Sequence, residues 1–101
     1  MKVIGTTATK EVRSATATVG SVATSSSNAT LLAANANRLG ASITNDSAVN
    51  MYLKMGATAS STSYTKLLIA AEYFAVPFNY TGQIDGILAS STGSARVTEY
   101  I

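Results

Sequence analysis

Apolar and polar residues alternate along the second two-thirds of the chain. Leu39, Ala41 and Ile43 are interleaved with Gly40, Ser42 and Thr44, and Val49, Met51, Leu53 and Met55 with Asn50, Tyr52 and Lys54. A period of two puts one set of side chains on a buried face and the other toward solvent, so both segments are predicted strands. Between them lies Asn45-Asp46-Ser47, whose short polar side chains bond their own backbone and tolerate left-handed conformations. The two strands and this turn are expected to form a β-hairpin.

The same pattern continues toward the C-terminus. Gly56 to Thr62 has no large apolar residue and reads as a loop. Ser63 to Ala70 is a predicted strand with Leu67 and Ile69 inward and Lys66 outward. Glu72 to Val76 is another, ended by Pro77, which cannot donate to a ladder. Gly82 to Ala89 and Ala95 to Ile101 supply two more, separated by the turn-like residues 90–94. Thr16 to Ala23 and Thr30 to Ala33 raise the expected number from six to eight. A helical turn competes locally over Ala29 to Arg38, where Leu31, Leu32, Ala33, Ala34 and Ala36 are fair helix formers. Elsewhere Thr, Val, Ile and Tyr favour pleated structure. The expected fold is therefore all-β, a small antiparallel β-sandwich or barrel.

Composition adds a division along the chain. Of 101 residues, 17 are Ala, 13 Ser and 14 Thr, which leaves few large side chains for a core. Residues 1–30 hold only six of the larger apolar residues, namely Met1, Val3, Ile4, Val12, Val19 and Val22. They are read as an extended N-terminal arm, and residues 31–101 as the sandwich domain. The arm could be a floppy tail or could add a strand to a neighbour's sheet; its alternating Ala15-Thr16-Ala17-Thr18-Val19 favours the second. A thin core also favours association with partners.

Charge and residue chemistry mainly exclude functions. With no His and no Cys, this chain cannot form a Ser-His-Asp or Cys-His catalytic site, an imidazole or thiolate zinc site, or a disulfide framework. No enzyme, metal site or cofactor is expected. A net charge of +2 from only 12% charged residues gives little attraction for nucleic acid or a membrane surface, and neither is expected as a partner. No apolar run approaches the roughly 20 residues that span a bilayer, and no continuous apolar stretch follows Met1-Lys2, so neither a membrane segment nor a secretion signal is expected.

The remaining motifs have ordinary readings. The Asn-x-Ser/Thr triplets at Asn28, Asn45 and Asn79 are expected by chance in a chain this rich in Ser and Thr. Asp46 reads as a turn residue rather than a calcium ligand. Asp85 and Glu99 read as surface charges rather than an acid pair, and Gly82 and Gly86 as a turn and a bulge. Tyr52, Tyr64, Tyr73, Tyr80 and Tyr100 can pack across strands or offer stacking surfaces, and packing is the simpler role. Arg38 can tie down a loop or reach a carboxylate on a neighbouring subunit. The residues expected to touch a partner are Val3, Ile4, Lys10, Arg13 and Val19 along the arm, together with Arg38.

One resemblance is more specific. Asn37-Arg38-Leu39-Gly40-Ala41-Ser42-Ile43-Thr44-Asn45-Asp46-Ser47, followed by Asn50-Met51-Tyr52-Leu53-Lys54-Met55-Gly56, resembles a recurring pattern in small virion structural proteins of tailed bacteriophages. Tyr73-Phe74-Ala75-Val76-Pro77, Tyr80-Thr81-Gly82-Gln83-Ile84-Asp85-Gly86-Ile87 and Gly93-Ser94-Ala95-Arg96-Val97-Thr98-Glu99 extend it over roughly residues 31–100. The resemblance implies a β-sandwich module on a phage particle. It does not by itself choose between a capsid decoration and a fibre or tail component; a module of about 100 residues with no long fibre repeat and a thin core suits many copies on a lattice, so the expected function is a capsid decoration, or cement, protein, bound to the major capsid protein on the outer surface of the head and assembled as a homotrimer. The alternative it implies is a tail- or fibre-associated module that binds a host glycan.

Overall fold

A computed structural model of the chain describes residues 13–101. Its eight described strands are β1 (Ala17–Ser25), β2 (Ala29–Leu32), β3 (Gly40–Asp46), β4 (Met51–Met55), β5 (Lys66–Leu68), β6 (Tyr73–Val76), β7 (Ile84–Leu88) and β8 (Thr92–Tyr100). They form two antiparallel four-stranded sheets, one in the order β1-β8-β3-β6 and the other β2-β7-β4-β5. First pairs with last, second with seventh, third with sixth and fourth with fifth. This is a hairpin ribbon rolled up on itself, the eight-stranded jelly-roll form of a β-sandwich.

The alternation seen in the sequence becomes the core. Ala41, Ile43, Val76, Ala95 and Val97 from the first sheet face Leu31, Met51, Leu53, Leu68, Ile84 and Leu88 from the second. Burying each large aliphatic side chain contributes on the order of 1.5–3 kcal/mol. Across the strands the inward residues stack in register, as in Val97 beside Ile43 and Leu88 beside Met51.

Several local expectations change. The segment around residues 45–47 is a corner and not a hairpin turn, because β3 and β4 lie in different sheets. Asn45 is fully buried there. Its amide donates to the Val49 carbonyl at 2.8 Å and the Leu68 carbonyl at 3.0 Å, and Ser47 Oγ donates to Asn45 Oδ1 at 2.7 Å. A side chain thus carries the bonds that a hairpin ladder would have made. In β5 it is Leu68 that points inward, while Ile69 is 59% exposed. The apolar run Leu67-Leu68-Ile69 leaves the phase of a period-two pattern open, and pairing of Leu68 with Met51 decides it. No helical turn forms at residues 29–38; β2 occupies its start. Gly86 pairs in register with Ala29, and the bulge expected there lies on the partner strand, where Leu31 is the extra residue between the pairs Thr30–Asp85 and Leu32–Ile84.

The boundary expected at residue 30 also moves. β1 pairs with β8 over its whole length, from Ala17–Tyr100 to Ser25–Thr92, so it belongs to the sandwich. A strand of small residues suits this place: Gly20 lies against Val97 in the ladder, and Val22 packs on the core.

Candidate functional site

Three features outside the central core could act on a partner: a buried arginine hub, a loop-covered outer face, and an open strand edge. Arg38 opens the first. Its side chain is completely buried, and it lies in the connection between β2 and β3. Nε donates to Glu99 Oε2 at 2.8 Å, Nη1 donates to the carbonyls of Tyr80 at 3.1 Å and Gly82 at 2.7 Å, and Nη2 donates to the Ala33 carbonyl. One guanidinium fork therefore ties β8 to two loops, residues 33–39 and 77–83. Of the two roles expected for Arg38, these bonds are those of a loop anchor, and its side chain has no exposed surface within the chain.

The outer face of the second sheet is roofed by residues 56–63. Asp85 and Tyr52 point to this face, since their neighbours Ile84, Gly86, Leu88, Met51 and Leu53 point inward. Asp85 is 1% exposed. It accepts from Asn28 Nδ2 at 2.9 Å and Gln83 Nε2 at 2.8 Å, while Asn28 Oδ1 accepts from the Ala59 N–H at 2.8 Å. Lys54 Nζ holds the same loop through Ser63 Oγ at 2.7 Å. Asp85 is thus a buried, amide-bonded acceptor and not the surface charge expected. Glu99 lies in the other sheet, bound to Arg38, so the two carboxylates serve separate networks.

At one end of this roof a cleft of about 280 Å³ is lined by Ser26, Tyr52, Ser60, Ser61, Ile87, Leu88 and Ala89. The Tyr52 ring meets Tyr64 edge to face, with centroids 4.9 Å apart. Hydroxyls, an aromatic ring and aliphatic groups without a charged residue make a neutral, amphipathic lining. Tyr80 is elsewhere: its hydroxyl donates to the Gln83 carbonyl at 2.9 Å and its ring packs on the core. Tyr73 and Tyr100 lie exposed on the other sheet.

No protein-family model, curated protein or solved structure matches the chain.

The third feature is the edge of β1. Among the described residues, β8 pairs with one side of this strand and no strand pairs with the other. Val19 stands on it 75% exposed, and Arg13 is exposed just before it. Val3, Ile4 and Lys10 lie outside the described residues. Among the described residues no group of His, Cys, Asp or Glu is arranged to hold a metal ion, and no helix is long and apolar enough to cross a membrane.

Sequence reasoning missed Asn28. It stood out only as the start of a chance triplet, yet it joins β7 to the 56–63 loop. Its partners are 57 and 31 residues away, and nothing in local sequence signals such a bridge.

Proposed function

We propose that this protein is a structural component of a bacteriophage virion, a capsid decoration protein that binds the major capsid protein on the outer surface of the head. The resemblance over residues 31–100 suggests the setting. The observation that supports the reading is the long edge of β1, which no strand pairs with among the described residues. A strand edge gives main-chain hydrogen bonds to any extended segment laid beside it, with little demand on side chains. Jelly rolls also occur in lectins and cupins, so the fold alone carries no function.

The mechanism is passive clamping. Many copies bound across neighbouring capsomers would share the load of an outward-pressing shell, each contact weak and the lattice of contacts strong. The test is to mix the purified protein with undecorated heads and image the particles. Density distributed over the head supports the reading, and density confined to the tail overturns it.

The cleft beside Tyr52 favours one second reading, a module that binds a host-surface glycan. Neutral hydroxyl-rich linings with an aromatic wall suit a sugar ring, whose faces are apolar and whose edge is hydroxylated. A glycan-array signal abolished by Tyr52→Ala would favour it, and no signal at high protein concentration would remove it.

A further inference from the structure

Among the described residues each sheet has two edge strands, and three of these four edges are blunted. β6 is four residues long and runs into Pro77, which has no N–H to offer. β2 has four residues and an irregular register at Leu31. β5 has three residues and begins at Lys66, which pairs with Glu72 at 3.7 Å. Short strands, bulges, prolines and lysines are the usual guards against pairing with another chain. β1 has none of them: it is nine residues long, uncharged and without proline, and its register with β8 is unbroken.

The phase of this ladder identifies the groups that remain open. Thr16 and Ile101 exchange both of their main-chain hydrogen bonds, at 3.4 and 3.0 Å. In an antiparallel ladder such doubly bonded pairs recur every second residue, so Thr18, Gly20, Val22 and Thr24 direct their N–H and C=O groups to β8. Ala17, Val19, Ser21, Ala23 and Ser25 direct theirs to the open side.

We infer that β1 pairs antiparallel with β1 of a second copy about a two-fold axis at Ser21, joining two four-stranded sheets into one of eight strands. In this register Ser21 faces Ser21, Val19 faces Ala23, and Ala17 faces Ser25. Each facing pair exchanges two hydrogen bonds, and no charge or bulky side chain opposes another. A two-fold contact requires such self-complementarity. At the described end of the strand, Thr16 continues the ladder beside Ile101 and Ser14 Oγ donates to the Ile101 carbonyl at 2.9 Å, so residues 14–16 keep to the β8 side of β1 and leave its other side open to a second copy. On this inference the self-association is two-fold, where the sequence led to the expectation of a trimer. A contact limited to one strand edge is smaller than the roughly 1,200 Å² of a stable interface, so the association is concentration-dependent.

The full-length protein tests this by sedimentation velocity and amide hydrogen exchange over a concentration series. The expected result is a monomer–dimer equilibrium in which the amides of Val19, Ser21 and Ala23 slow as concentration rises, while those of Gly20 and Val22 are slow throughout. Ser21→Pro removes an N–H from the open side and leaves the β8 ladder intact, so it should weaken the dimer about tenfold or more while Ser21→Thr keeps it. If Ser21→Pro loses its cooperative thermal transition, Val19→Lys replaces it as the edge-guarding variant, because that side chain already faces solvent. A protein that stays monomeric, forms a trimer, or protects the open-side amides independently of concentration overturns the pairing. This inference and the capsid reading use the same edge: a dimer that persists on decorated heads leaves the pairing standing and removes the edge from the capsid contact, whereas heads left bare by a dimeric protein remove the capsid reading alone.

Discussion

Replacing Arg38 with alanine should unfold this protein more readily than any other exposed-to-small or polar-to-small change outside the core. The side chain is fully buried, and the carboxylate it leaves behind, Glu99, is only 19% exposed. Removing one member of a buried ion pair typically costs about 3–5 kcal/mol, because the other charge remains in a poor solvent. Partial exposure of Glu99 and the surface position of the 33–39 and 77–83 loops let water reach the vacated acceptors, which places the cost near the lower end, about 3 kcal/mol. For a domain of this size, each kcal/mol lowers Tm by about 4–8 °C, so the expected fall exceeds about 10 °C. Far-ultraviolet circular dichroism during thermal and urea unfolding measures it, and hydrogen exchange should show both loops losing protection together. Arg38→Lys should recover only part of the loss, since an ammonium cannot span Glu99 and three separate carbonyls. A loss below about 1 kcal/mol for Arg38→Ala, or loops that keep their protection, would refute the hub.

Three further substitutions probe other parts of the fold. Thr24 is 4% exposed on β1 with its hydroxyl unpartnered among the described residues, so Thr24→Val should stabilise by about 1 kcal/mol, read as a raised urea midpoint with an unchanged slope. A Cβ on Gly86 would come within 2.8 Å of Leu31 Cδ1 and 3.3 Å of its Cγ, so Gly86→Ala should cost about 1–3 kcal/mol by calorimetry, and the double variant Gly86→Ala with Leu31→Ala should show strong non-additivity. Asn28→Ala removes the bridge between the Ala59 N–H and the Asp85 carboxylate; stability should fall by about 1–3 kcal/mol and residues 56–63 should exchange faster, whereas Asn28→Asp, which sets a second carboxylate against Asp85, should be worse.

The alternation of large and small residues determined that the chain is all-β, and where the strands begin and end to within a few residues. Burial of Ile43, Met51, Leu53, Ile84 and Val97 follows directly from that pattern, because a period of two dictates which side chains share a face. It could not dictate which strand lies beside which. The predicted hairpin at residues 45–47 failed for this reason: a turn sequence shows that the chain reverses, not that the two arms remain in one sheet. Only the tertiary structure pairs β1 with β8, from Ala17 beside Tyr100 to Ser25 beside Thr92, and thereby turns nine residues of the supposed arm into an edge strand. The same long-range packing sends Arg38 inward to Glu99 and buries Asp85 beneath a distant loop. The small residues of β1 were legible from the start; that they form an edge strand was decided by where the other described strands pair, since a backbone hydrogen-bonding group is open only relative to its neighbours.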